Sequence, residues 1–217
     1  MFEVAGAIAK AKPSHLRGWG HLPQVRRVKK SFWRTLAIMG GVGLIWVVGT
    51  SRFCAAKVRY ILRRREGAFE IRDYPDLAVA ETPRPEAQNS AAFNRLHRYI
   101  QGANSTGRKI PMIAPVFLEN SDGQRSMAFI MPDEIAAPPE PRDPTVEINV
   151  RPARRFAVLT YHTWPAWRNE RKAIAILRRW LIDQGLSASA DPIIAYYDPP
   201  WMPPPLRRNE VLIQLPK

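Results

Sequence analysis

A chain of 217 residues with 46% hydrophobic and 24% charged residues has the length and apolar content for one packed domain plus an extension, which excludes a disordered chain. Its net charge of +14 suggests a nucleic-acid binder until the charge is located. Residues 1–57 hold ten Lys/Arg against one acid and residues 58–217 hold 23 against 18, so most of the excess lies outside the predicted globular part and no nucleic-acid partner is expected. The single cysteine, Cys54, excludes an intrachain disulfide and a cysteine-rich zinc site.

Residues 1–34 form a basic N-terminal segment in which Pro13, Gly18, Gly20 and Pro23 interrupt any long helix. Thr35–Ser51 follows, seventeen residues without a charge, reaching about 25 Å as a helix. Basic residues precede it, Trp33 and Trp46 suit interface anchors, and Gly40, Gly41 and Gly43 argue against a buried core helix. Residues 35–51 are therefore predicted as a transmembrane helix and the chain as a single-pass membrane protein, with its C-terminal domain outside the cytoplasm. A cleaved signal peptide is the other reading, with Cys54-Ala55-Ala56 as a loose cleavage site, although 34 residues are long for its leading region.

From residue 58 the pattern changes to strands of period two: Val58, Tyr60 and Leu62, then Phe69 and Ile71 past Pro75 into Leu77 and Val79. A helix is predicted from Asn89 or Ser90 to about Gln101, with Gly102 suited to its C-terminal cap. Lys109–Leu118 and Ser126–Met131 form a hairpin about Asn120–Gly123, its first strand at an edge or a bulge because Pro111 and Pro115 cannot donate to a ladder. After a Pro/acid loop the order repeats: Val146–Val150, Arg155–Tyr161, a helix from Pro165 to about Gln184, then Ile193–Tyr197 and Glu210–Leu215. The predicted fold is α+β, with an internal pseudo-repeat of about eighty residues per half, barrel-like antiparallel sheets and two external helices around a pocket between the halves.

With these segments in hand, residues 58–217 resemble the SOUL family of haem-binding proteins. The resemblance is carried by Phe69-Glu-Ile-Arg-Asp-Tyr-Pro75, Lys109-Ile-Pro-Met-Ile-Ala-Pro-Val116, Phe129-Ile-Met-Pro132 and, most specifically, Tyr197-Asp-Pro-Pro-Trp-Met-Pro-Pro-Pro-Leu-Arg-Arg-Asn-Glu-Val211. Ile113 and Met202 stand where the family commonly has threonine. The resemblance implies a barrel-like β structure with two helices, similar to bacterial effector-binding domains, and non-covalent binding of haem or another tetrapyrrole.

Candidate site residues cluster about the Pro-rich stretch. Five prolines within seven residues stiffen it. Tyr197 and Trp201 can stack on a planar ligand, and Arg207 and Arg208 can pair with its carboxylates. Glu210, inside an apolar strand, needs a partner if it faces inward. Met112 suits the face of a porphyrin. His97 and His162 are the candidates for axial ligation of haem iron, and the absence of a Cys-x-x-Cys-His segment excludes covalent attachment. No nucleophile elbow, P-loop, zincin or dinucleotide signature occurs, so no enzyme activity is expected. The expected function is membrane-anchored, non-catalytic binding of haem or another planar tetrapyrrole, for carriage, buffering or sensing. The alternative is a small-molecule effector-binding or interaction domain without haem, in which Glu210 and Trp201 define a pocket for a cationic or aromatic ligand.

Overall fold

The computed structural model describes residues 56–216 except 86–88, 122, 164–166, 188 and 200. In chain order the first half holds β1 (Ala56–Lys57), β2 (Ile61–Glu66), β3 (Phe69–Tyr74), β4 (Leu77–Pro83), α1 (Asn89–Ile100), β5 (Ile113–Ser121) and β6 (Gln124–Ile130). The second holds β7 (Glu147–Arg151), β8 (Arg154–Tyr161), α2 (Trp167–Asp183), β9 (Ile193–Tyr196) and β10 (Asn209–Gln214). The strands lie in the order β2-β3-β8-β10-β9-β5-β6-β4-β7, each antiparallel to its neighbours, and β1 adds parallel to β5. The sheet curls into a half-barrel.

The predicted pseudo-repeat is visible in the pairing. One half contributes β4-β6-β5, the other β8-β10-β9, and the two join where β5 meets β9. Each half gives one strand to the other: β3 pairs with β8, and β7 with β4. Pro115, which cannot donate to a ladder, falls in the register shift between Ile113 and Val116, so β5 holds a central place despite this proline.

Successive side chains point to opposite faces, and the near-continuous apolar runs of the central strands make both faces of the sheet apolar. The convex face packs on the helices, where α1 buries Leu96 and Ile100 and α2 buries Leu177 and Leu181, each side chain contributing about 1.5–3 kcal/mol by burial. Both helices stop at a left-handed glycine position. Gly102 has φ +111°, and a Cβ there would lie 2.9 Å from the Gly107 carbonyl oxygen. The concave face has its own apolar cluster, including Val79, Phe117, Ile130, Val158 and Leu212.

Two expectations change. Val58, Tyr60 and Leu62 were expected in one strand, but residues 58–60 leave the ladder. The Val58 amide donates to the Ala114 carbonyl oxygen (3.0 Å) beside β5, and the chain then crosses the concave face as a strap before entering β2 beside β3. The single-pass membrane reading, with the domain outside the cytoplasm, is also corrected. Among the described residues no helix is long and apolar enough to cross a membrane: α1 and α2 have 12 and 17 residues, and both carry basic side chains on their outer faces. The run 35–51 lies outside the described residues.

Candidate functional site

A cleft of about 460 Å³ opens on the concave face at the end of the sheet where the two pseudo-equivalent strand turns meet. One turn, β3–β4, presents Tyr74, Pro75 and Leu77. The other, β7–β8, presents Arg151, Pro152 and Arg154. Asp76 fastens the two together by accepting the Ala153 amide at 2.6 Å. Phe117, Phe156 and Leu212 form an apolar floor, with Tyr74 edge-on to Phe156 at 5.5 Å between centroids. Polar groups lie at the margin. Arg151 is held between Glu81 (2.8 Å) and Glu119, and burial pushes the Glu119 carboxyl up despite that arginine. Arg154 instead donates to the neutral Gln214 amide oxygen.

Further along β10 the concave face holds a buried ionic network. Glu210, with no exposed surface, accepts two hydrogen bonds from Arg72 (2.8 and 3.0 Å), one from Arg208 (2.9 Å) and one from the Thr160 hydroxyl (3.2 Å). Arg72 also donates to Glu70 at 2.5 Å and to the Tyr74 hydroxyl at 3.2 Å. Burial alone pushes the Glu210 carboxyl up; the hydrogen bonds and charge of Arg72, then Arg208, outweigh it and hold the group below its ordinary value. Tyr74 is pushed up to about 12 by burial and by the charge of Glu210. The strap covers this network: the Tyr60 ring lies 4.3 Å from the Arg72 guanidinium and 5.4 Å from the Tyr74 ring. Tyr74 therefore touches both the cleft and the network.

The sequence-predicted residues do not gather in one place. Tyr197, Arg208 and Glu210 come together in the network, with the Arg208 guanidinium 4.2 Å over the Tyr197 ring. Arg207 turns the other way, is buried, and donates to the Met202 carbonyl oxygen at 2.5 Å, bracing the Pro-rich loop from inside. Trp201 is 53% exposed on that loop, while its neighbour Met202 is fully buried, and Met112 is 38% exposed before β5. His97 lies exposed on α1, stacked on Phe93. His162, exposed at the end of β8, has Nδ1 at 2.5 Å from the Arg207 carbonyl oxygen. None of these eight residues lines the cleft, and the described residues hold no group of three or more His, Cys, Asp or Glu able to bind a metal. Sequence reasoning missed Tyr74, Phe156 and Arg154. The available signal was the Pro turn after each exchanged strand, Tyr74-Pro75 and Arg151-Pro152, which the topology brings face to face.

Residues 55–214 match the family model described as SOUL heme-binding protein. The chain belongs to the SOUL family. No curated protein matches the chain. Among solved structures, the SOUL domain is similar to the EcmrR C-terminal domain, with 14% identity, a TM-score of 0.53, and coverage of 73% of this chain and 98% of that one. It is also similar to EcmrR in a DNA complex, with 13% identity, a TM-score of 0.54, and coverage of 87% and 68%. A structure described as a hydrolase from Listeria innocua is 10% identical with a TM-score of 0.47, covering 77% and 97%. At these identities the first two likenesses show the fold, and the third carries no argument for catalysis.

Proposed function

We propose that this SOUL domain binds a tetrapyrrole reversibly and without covalent attachment or chemical transformation, in the cleft between the two Pro turns, as a carrier, buffer or sensor. The observation that carries the reading is the aromatic and aliphatic floor of Tyr74, Phe117, Phe156 and Leu212 in a cleft of about 460 Å³, a size suited to a ligand of this kind. The floor fits a flat ring, and Arg154 at its margin fits a carboxylate. Haem iron is a different matter. Among the described residues no His, Cys or Met lines the cleft, and the phenol that does, Tyr74, is held protonated by burial and already accepts a hydrogen bond from Arg72. The residues thus fit the porphyrin and supply no axial ligand; bound haem would bring the redox and gas-binding chemistry of its iron, while the chain seats the ring.

A cationic effector at Glu210 finds less support, because such a ligand would have to displace Arg72 from both carboxylate oxygens. The DNA held in one of the EcmrR structures is a partner of that protein; here the net charge of residues 58–217 is small, and nucleic acid is not expected as a partner. Titration of the full chain with hemin and with iron-free protoporphyrin IX, followed by tryptophan quenching, tests the proposal. Saturable one-site binding of both, within about threefold of each other, is expected, since losing a good metal–ligand bond would cost far more than that. Absence of saturable binding by either overturns it.

A further inference from the structure

The curled sheet has two margins, and their chemistry differs. In the strand order β2 lies at one end and β7 at the other, and among the described residues neither outer edge is paired. An unpaired edge presents a row of N–H and C=O groups that another strand can join unless side chains prevent it. At β2 they do. The run Arg63-Arg64-Arg65 would meet its own positive charge in a symmetric pairing, and the register shift between Leu62 and Arg64 interrupts the ladder. At β7 nothing of the kind occurs. Its register against β4 is unbroken from Leu77 and Arg151 to Glu81 and Glu147, and no proline interrupts it. Both ends are held: Val146 is buried and its amide donates to the Asp143 carbonyl oxygen (3.1 Å), while Asp76 accepts the Ala153 amide. Two groups on this fixed edge are poorly served by their own chain. Val150 is 70% exposed, more than any other large apolar side chain among the described residues. Glu147 lies directly across from Glu81, a like charge, and among the described residues it has no ion-pair partner.

The strand Glu147-Ile148-Asn149-Val150-Arg151 is complementary to itself when a second copy runs the other way. In an antiparallel pairing centred on Asn149, Glu147 meets the partner's Arg151, Ile148 meets the partner's Val150, and Asn149 meets the partner's Asn149. From this we infer that β7 is the interface of a two-fold symmetric dimer, in which the sheets of two copies of this chain join edge to edge. Each poorly served group gains what it lacks. Val150 acquires an apolar neighbour, and Glu147 acquires a cation. Arg151 already donates through Nη1 to Glu119 and through Nη2 to Glu81, but a guanidinium has five N–H groups, which leaves donors for the partner's Glu147. Because Val150 and Arg151 line the cleft, the pairing also brings the partner's Glu147 to its margin. The dimer does not depend on what the cleft binds.

Sedimentation equilibrium of the full chain between about 1 and about 300 μM tests the inference, since so short a strand makes a small interface and a weak, concentration-dependent dimer. The mean mass of wild type should rise from one subunit towards two. Glu147→Lys sets a cation against the partner's Arg151 but against Glu81 in its own chain, and the position is exposed, so the fold is kept. It should weaken dimerisation by about tenfold or more. Cross-linking in a Cys54→Ser background reads the register. Directly opposed residues of antiparallel strands lie about 4.5–5.5 Å apart at Cα, within disulfide reach. Under a glutathione buffer, Asn149→Cys on the two-fold axis should therefore join two chains about tenfold faster than Val150→Cys, or than Ile61→Cys at the other margin. A wild type that stays monomeric throughout, a dimer that Glu147→Lys leaves intact, or equal cross-linking at all three positions overturns the inference.

Discussion

Arg72 and Glu210 are both completely buried, and Arg72 donates two hydrogen bonds to Glu210 across the concave face, so the energetic consequence of a change depends on which charge is left behind. Removing the carboxylate with Glu210→Leu strands Arg72 and Arg208 over a smaller share of negative charge, and a loss of about 3–5 kcal/mol in unfolding free energy is expected by urea denaturation. The pH dependence has a definite sign. The folded-state pKa of Glu210 lies below its unfolded value, so its stabilisation is complete above about pH 4.5 and is lost as the pH falls through the folded value. Urea midpoints at pH 7 and pH 3.5 should show a smaller acid-induced drop in Glu210→Gln than in wild type; an equal drop would mean that the network contributes nothing to acid sensitivity. A carboxylate at the head of the run Val211–Leu215 could be read from the sequence as needing a partner. Its main partner could not, because Arg72 lies 138 residues away, on a strand exchanged between halves.

At the scale of elements, the Pro-rich loop shows where residue type misleads. Trp201 was the natural anchor of a stiff loop, since it is the largest apolar group there. The turn in which the Met202 amide donates to the Pro199 carbonyl oxygen (3.0 Å) sends Met202 inward instead, and the buried Arg207 guanidinium braces it from below. Met202→Ala is therefore expected to cost about 2–5 kcal/mol. Trp201→Ala should stay within about 0.5 kcal/mol of wild type. Guanidinium denaturation of the two variants side by side checks the order, and a larger loss for Trp201→Ala would contradict the packing described. The helices were legible because their apolar positions recur at 3.6 residues, and Gly102 and Gly185 mark their ends. The strap was not, since Val58 and Tyr60 alternate as strand residues do while their backbone joins no ladder beyond Val58.

At the scale of the whole molecule, the repeated order of strands and helices was enough to give two halves with a cleft between them. It was not enough to locate that cleft. The asymmetry of the Pro-rich loop drew attention to one end of β10, Tyr197 to Glu210, whereas the cleft opens at the other, by Leu212 and Gln214. The exchange of β3 and β7 between halves brings the two Pro turns together, and strand exchange leaves no trace in local periodicity.

The central claim is that this cleft, and neither histidine, holds the ligand. The most direct test is a hemin titration of wild type, a His97→Ala/His162→Ala double variant and Val150→Glu, the last placing a carboxylate at a cleft-lining position that is 70% exposed. The double variant should bind hemin with wild-type affinity and an unchanged Soret band, while Val150→Glu weakens binding by about tenfold through repulsion and desolvation of the ligand's carboxylates. A lost Soret shift in the histidine variant, together with unaltered binding by Val150→Glu, would contradict the account.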